Sequence, residues 1–236
     1  MTEERPVGFV GLGNMGGRIA RRVIEGGHRV LGHDSDPGKV AAAGADPAGS
    51  AAGVAEGSDT ILLSLPDSTA VEAVVTGAGG LLGACRPGQV VVDLSTAAPD
   101  STVWLHAALR ERGVTFLDAG VTGGAAAAER GALTLMVGGS ADAVGALYWL
   151  FDLFAAKVFV MGDSGAGHTA KLLNNFLNAV SLAATAEVMV AGRAAAWTRG
   201  GCSRSSTRGA GRTSRPASGS RTSSGATTWR AASPAR

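Results

Sequence analysis

Val7-Gly8-Phe9-Val10-Gly11-Leu12-Gly13-Asn14-Met15-Gly16 is a short apolar run that ends in three glycines, spaced Gly-x-Gly-x-x-Gly. The residues after it, Arg18 to Glu25, carry Ile19, Val23 and Ile24 on one side, as a helix would. Gly26-Gly27 stops that pattern, and Arg29-Val-Leu-Gly-His33 reads as a second strand closing on Asp34. Strand, glycine turn, helix and strand within about thirty residues make a βαβ unit.

The alternation continues. Strands are expected at Thr60–Leu65, Gln89–Leu94, Val114–Leu117, Leu133–Val137 and Val158–Met161. Helices are expected near Ser68–Val75, at Asp100–Arg112 and at Ala141–Phe154. A small-residue segment, Asp118 to Gly131, is left between two strands. Strands separated by helices predict an α/β fold, a Rossmann-type doubly wound and mostly parallel sheet. From residue 168 to 196 there is no proline and one glycine, Gly192. Leu172, Phe176, Ala179, Ala183, Ala186 and Val190 recur there at helical spacing, which predicts one long helix.

The composition changes again at Trp197. Residues 197–236 use only Arg, Ser, Thr, Gly, Ala, Pro, Trp and Cys. With no Leu, Ile, Val, Met or Phe, that segment cannot offset a chain entropy of ~1–2 kcal/mol per residue, and disorder is expected. Three parts follow: 1–163 as the Rossmann-type domain, 164–196 as a long interdomain helix, and 197–236 as a disordered tail. The tail holds eight of the 21 basic residues and no acid. Without it, 13 basic residues face 19 acidic ones, so residues 1–196 carry a formal charge of −6 behind a whole-chain value of +2.

Other classes are set aside on composition. Two cysteines, Cys85 and Cys202, make no disulfide framework and fit a reducing, cytoplasmic setting. No zinc-type cluster exists in the sequence. The polar start Met-Thr-Glu-Glu-Arg-Pro is unlike a signal peptide. The longest apolar stretch, Leu177 to Ala191, is too short for a bilayer and includes Asn178 and Glu187, so no membrane partner is expected. One Tyr, six Phe and four Trp give little stacking surface for nucleic acid.

Three motifs carry chemistry. In the first, Gly11 permits a tight turn, Gly13 lets backbone approach a pyrophosphate, and Gly16 lets helix and strand pack closely. Asp34, 18 residues after Gly16, can accept hydrogen bonds from ribose hydroxyls and would repel a 2′-phosphate. Ser35 and Asp36 follow it in place of an arginine, so NAD is expected over NADP. The second motif is Asp118-Ala-Gly-Val-Thr-Gly-Gly124. Its N–H groups and the Thr122 hydroxyl could hold a carboxylate; by itself it is equally a plain glycine turn. The third is Gly165-Ala-Gly-His-Thr-Ala-Lys-Leu-Leu-Asn-Asn175. Lys171, Asn175 and Asn178 share a helical face there. A lysine beside amides fits acid/base work on a carbonyl or hydroxyl, and a solvated helix face is the other reading. His168, one turn before Lys171, is expected to cap or pack.

Taken in order, Gly8–Gly16, Asp93-Leu-Ser-Thr96, Thr122–Gly124 with Gly131–Gly139, and Gly167–Asn175 resemble the β-hydroxyacid dehydrogenase family, near 3-hydroxyisobutyrate dehydrogenase and tartronate semialdehyde reductase. The resemblance covers roughly residues 6–195. It implies hydride transfer between NAD and a small 3-hydroxy acid. By that resemblance Lys171 is the general acid/base. Thr122, Gly123, Gly124 and Asn175 bind substrate. Gly11, Leu12, Gly13, Asn14, Met15, Gly16, Asp34, Leu65, Pro66 and Thr96 line the cofactor. It further implies a second, all-helical domain and a homodimer or higher assembly in intact relatives.

The sequence departs from the family in three places. Gly120 and Thr122 stand where the family usually has Pro and Ser, so Gly120 is expected to loosen that turn. Near Ala196, where a Leu-rich helical domain should begin, the arginine-rich tail appears instead; a shift of reading frame in a GC-rich gene would explain it. A non-catalytic dinucleotide-binding remnant is then the competing reading. An imine-reductase-like NAD(P)H enzyme is a further one, although relatives of that type typically lack the lysine at position 171.

Overall fold

The computed structural model of the chain describes residues 5–195. The first βαβ unit is β1 (Val7–Val10), α1 (Gly16–Glu25) and β2 (Val30–His33). Next come α2 (Pro37–Ala43), β3 (Asp46–Pro47), α3 (Ala51–Gly57), β4 (Thr60–Leu63), α4 (Ser68–Thr76), α5 (Leu81–Ala84) and β5 (Val90–Asp93). The remainder is α6 (Pro99–Arg110), β6 (Thr115–Thr122), α7 (Gly124–Glu129), β7 (Leu133–Gly138), α8 (Ala141–Ala146), α9 (Tyr148–Phe151), β8 (Ala155–Gly162) and α10 (Ala166–Ala194).

The eight strands form one sheet in the order β3-β2-β1-β4-β5-β6-β7-β8. Every pairing is parallel except β6 with β7. This is the expected doubly wound Rossmann-type sheet, with its chain reversal between β1 and β4. Side chains alternate across it. In β4, Leu62 faces one core and Ile61 and Leu63 face the other. Phe9, Ile19, Leu117, Leu135 and Phe151 fill the first core; Val54, Val71, Leu81, Leu105 and Phe116 fill the second. Parallel strands covered on both faces read as continuous apolar runs, which is why Ile61-Leu62-Leu63 and Val91-Val92 were legible as strands.

Two expectations change. The small-residue segment from Asp118 to Gly131 does not lie wholly between strands. Strand β6 runs on through Thr122, paired with β7 from Asp118↔Gly138 to Thr122↔Thr134, and α7 follows. Gly120 therefore lies buried inside a strand and does not loosen a turn. The Ala141–Phe154 helix is broken at Leu147 into α8 and α9. Helices α2, α3 and α5 were not anticipated. They are short and small-residue-rich, and two of them start on side-chain caps, Asp36 and Ser50.

Helix α10 approaches the sheet closely at its first turn. A Cβ on Gly167 would fall inside contact distance of the carbonyls of Met136 and Asp118 and 2.8 Å from the Gly138 nitrogen. The described residues divide into two units after Ala179, within α10. The expected tail at 197–236 lies outside the described residues. Within the first unit the α10 side chains Leu173, Phe176 and Leu177 are exposed. No helix of the described residues is long and apolar enough to cross a membrane.

Gly167→Ala tests the close approach. In a helix, Gly→Ala ordinarily gains about 1 kcal/mol. Here the new methyl meets backbone that cannot rotate away, at a cost of about 1–3 kcal/mol. A net loss of stability in urea unfolding is expected; a net gain would show that α10 does not pack this tightly.

Candidate functional site

Four short segments follow the carboxyl ends of four adjacent parallel strands. They are the glycine turn after β1, Ser64–Pro66 after β4, Leu94–Thr96 after β5, and Thr122–Gly124 at the end of β6. Ligands of open α/β sheets bind at this edge, where strand order reverses.

The glycine turn is shaped by close approaches. Gly11 has φ +88°, a left-handed conformation that favours glycine, and a side chain there would strike the Ser64 carbonyl. A Cβ on Gly16 would strike the Gly11 carbonyl, so this glycine lets α1 start directly against β1. A Cβ on Gly13 would meet nothing within 4 Å. Gly13 thus faces open space, as a backbone meant to touch a ligand must. Among the described residues no acceptor takes the N–H groups of Gly13, Asn14 or Met15. They lie just ahead of the positive end of α1's dipole. The turn fits a pyrophosphate on these observations.

Asp34 organises the same turn. Its Oδ2 accepts the Leu12 N–H at 2.8 Å, and its Oδ1 accepts the Asp36 N–H at 2.9 Å and Lys39 Nζ at 3.3 Å. Burial pushes the carboxyl's pKa up, but these hydrogen bonds and the Lys39 charge outweigh it, so the net displacement is below 3.8. The Ser35 hydroxyl adds a third donor to Oδ1 at 3.5 Å, whereas Oδ2 takes only the Leu12 N–H and keeps a lone pair for a ribose hydroxyl. A groove of about 680 Å³ runs past Gly11, Gly13, Asn14, Asp34, Leu65 and Val74. Leu12 is not on its wall; the leucine side chain packs in the core and only its N–H serves the turn. Lys39 lines the groove and was missed in the sequence, because nothing in a lone lysine five residues on marks it as Asp34's partner. Arg18 was missed for a similar reason. It holds the Asn14 carbonyl at 2.5 Å and Glu129 at 2.7 Å, tying the turn to α7.

A second cavity, about 370 Å³, shares Met15, Ser64, Leu65 and Pro66 with the groove. It brings together Thr96, Thr122, Gly123, Gly124, Lys171 and Asn175, which are far apart in the chain. Gly123 has φ +123° and Gly124 φ +71°, so only glycines turn the chain comfortably from β6 into α7 there. Lys171 reaches the cavity because α10 crosses β6 at Gly120: a Cβ on Gly120 would lie 3.0 Å from the Gly167 carbonyl and 3.2 Å from Lys171 Cγ. Burial lowers the Lys171 pKa from 10.5. Asn178 is not on the cavity wall; its side-chain NH₂ donates to Asn174 Oδ1 at 3.3 Å. Ser95 was not singled out in the sequence, yet it lines the cavity and its Oγ accepts the Leu65 N–H at 2.9 Å.

Residues 6–162 match the family described as the NAD binding domain of 6-phosphogluconate dehydrogenase. The chain is 41% identical over 191 residues to an NAD-dependent L-serine dehydrogenase of Pseudomonas aeruginosa, covering 80% of this chain and 64% of that protein. It is 38% identical over 192 residues to the mitochondrial 3-hydroxyisobutyrate dehydrogenase of Mus musculus, covering 80% and 57%. The solved 3-hydroxyisobutyrate dehydrogenase of Mycobacterium tuberculosis with L-serine superposes with a TM-score of 0.79 at 29% identity, covering 84% of this chain and 68% of that one. The chain belongs to the β-hydroxyacid dehydrogenase family, that of 3-hydroxyisobutyrate dehydrogenase. It spans a little under two thirds of the L-serine dehydrogenase and less of the mouse enzyme. An imine reductase of Pseudomonas, at 20% identity, shares the fold alone.

Two glycine substitutions separate binding from folding in this family member. Gly13→Ala is expected to weaken NADH binding at least tenfold, about 1.4 kcal/mol, with the unfolding midpoint unchanged. Gly16→Ala is expected to lower the midpoint itself, because its methyl meets backbone. Calorimetric titration beside thermal unfolding reads both. Equal loss of stability in the two variants would contradict the open side of Gly13.

Proposed function

We propose that the chain carries the cofactor domain (residues 1–163) and the acid/base lysine of an NAD-dependent dehydrogenase acting on 3-hydroxy carboxylic acids. One observation carries the reading: Lys171, Asn175 and Thr122–Gly124 line a cavity that shares Met15, Ser64, Leu65 and Pro66 with the groove at the glycine turn. The names of the relatives refine the substrate. L-Serine, 3-hydroxyisobutyrate and 2-(hydroxymethyl)glutarate all contain a carbon bearing both a carboxylate and a CH₂OH group. We propose that unit as the substrate class.

Bound NAD supplies a hydride acceptor when the alcohol is oxidised and a hydride donor in reverse. The protein's part is to place the alcohol and move its proton. The N–H groups at Gly123 and Gly124 and the Thr122 hydroxyl hold the carboxylate, as consecutive backbone donors do for anions. Asn175, one turn beyond Lys171, keeps the hydroxyl in line. Neutral Lys171 Nζ accepts the hydroxyl proton as the carbon–hydrogen bond breaks, leaving an aldehyde. In the reverse direction the ammonium returns the proton to the carbonyl oxygen. Asp34 and the N–H groups at Gly13–Met15 hold the ribose and pyrophosphate.

The lowered Lys171 pKa sets the sign of the pH response. Oxidation needs the free amine, so kcat for the alcohol should rise with pH, with a midpoint below 10.5. Reduction of the aldehyde needs the ammonium and should fall through the same midpoint. Lys171→Ala should lower turnover by about 10²–10⁴-fold with NADH binding retained. The assay is NADH formation with 3-hydroxyisobutyrate, L-serine and D-glycerate. Undiminished turnover in the variant would remove Lys171 from its role. NADH binding without turnover of any acid by the parent chain would select the non-catalytic reading.

The cofactor preference is tested at Asp34. Asp34→Ala removes the charge that opposes a 2′-phosphate and frees Lys39, so the ratio of NADPH to NADH dissociation constants should fall. A ratio that stays the same would move the preference elsewhere.

A further inference from the structure

Most helices of this fold that have a side-chain cap take it from their own N-cap residue: Asp36 for α2, Ser50 for α3, Asp67 for α4 and Ser140 for α8. Helix α10 is different. Its first turn is held by Asp118, from the middle of β6. Oδ1 accepts the Gly165 N–H at 2.7 Å and Oδ2 accepts the His168 N–H at 2.8 Å. A local cap satisfies a helix end wherever that end sits. A carboxylate rooted 47 residues earlier in a central strand also fixes where the end sits.

His168 adds a second tether. Its imidazole is fully buried, as are Asp93 and Asp118. Nδ1 lies 2.7 Å from Thr102 Oγ1 on α6, and Nε2 lies 3.3 Å from the Asp93 carbonyl and 3.9 Å from Asp93 Oδ2. Asp93 Oδ1 accepts the Ser95 N–H at 2.9 Å, while Oδ2 has no hydrogen-bond partner and faces the imidazole. Removing three ionisable side chains from water costs several kcal/mol unless each finds partners. Asp118 offsets that cost by accepting two N–H groups of the helix turn, whereas Asp93 Oδ2 has no such partner, so the His168–Asp93 contact adds little stability of its own. It joins Asp93, just ahead of the cavity residue Ser95, to the helix turn that precedes Lys171.

We propose that His168, through Thr102 and Asp93, is a positioning residue that sets how deeply Lys171 enters the cavity. The imidazole fixes the height and rotation of the first turn of α10, and Lys171 is one turn further on the same helix. An apolar replacement would leave Asp118 holding the backbone of that turn at β6 but release it from β5 and α6, so the turn would rotate about this one tether and the ammonium would move towards water. The charged groups around the imidazole are Asp93 and Asp118. The catalytic meaning rests on the acid/base reading of Lys171, but the displacement of the lysine does not.

The chain contains three lysines, Lys39, Lys157 and Lys171. After reductive ¹³C-methylation of the full chain, each gives one NMR signal whose titration can be followed, assigned with a Lys171→Arg variant. In His168→Leu the Lys171 midpoint should move upward towards 10.5, with Lys39 and Lys157 unmoved. His168→Gln, which keeps a donor and an acceptor at the tip, should restore most of the parent value. In turnover assays, His168→Leu should lose about tenfold to a hundredfold in kcat, as a displacement near 1 Å does, with little change in KM for NAD. If His168→Leu does not fold, Thr102→Val, which removes one hydroxyl, decides by the same titration. An unmoved Lys171 signal in a folded variant overturns the proposal, whatever the melting temperature does. Full turnover in Lys171→Ala overturns the acid/base reading instead, and leaves the titration result standing.

Discussion

The carboxylate of Asp118 at the first turn of α10 is the interaction on which the site depends. It lies in β6, four residues before Thr122, and it holds the helix that carries Lys171 and Asn175. Because β6 also leads into Gly123-Gly124, one strand positions both walls of the smaller cavity. Glycines make the arrangement possible. Gly120, Gly138 and Gly167 leave no side chains between strand and helix, so the backbone atoms come into contact. Any methyl inserted there would push α10 outward.

A parallel device governs the cofactor end. Asp34 reaches back from the end of β2 to the Leu12 N–H, so the turn after β1 is pinned by the strand beside it. In both places a carboxylate, one just past the end of β2 and one within β6, binds the backbone of a neighbouring turn, and open N–H groups or a lysine face the adjoining cavity. The sheet is rigid because two apolar cores cover its faces. Short polar tethers from such a sheet place side chains more accurately than loops could.

Much of this was legible in the residues. The glycine spacing with Asp34 named the first βαβ unit, and the uninterrupted apolar runs named the parallel strands. Lys171 and Asn175 were placed on one face by spacing alone. Other features were hidden. The extension of β6 through Thr122 was masked by small residues, whose strand character comes from pairing with β7 and not from propensity. Lys39, Arg18 and Ser95 gave no signal, since each acts through a partner brought near by the fold. Gly120 was misread as a loosened turn; its role as a contact point appears only once α10 lies across β6.

The sequence by itself determined the alternation of strand and helix, the dinucleotide turn, the long helix of α10 and the family. Those depend on neighbours within a few residues, where periodicity and glycine geometry act directly. Only the tertiary structure decided that Asp118 caps a helix starting 48 positions later, that His168 turns inward to Thr102 and Asp93, and that Lys171 is lowered in pKa by the walls around it. Hydrogen bonds across such separations, and the loss of water around a charge, are properties of what the folded chain brings together. They leave no periodic trace in the order of the residues.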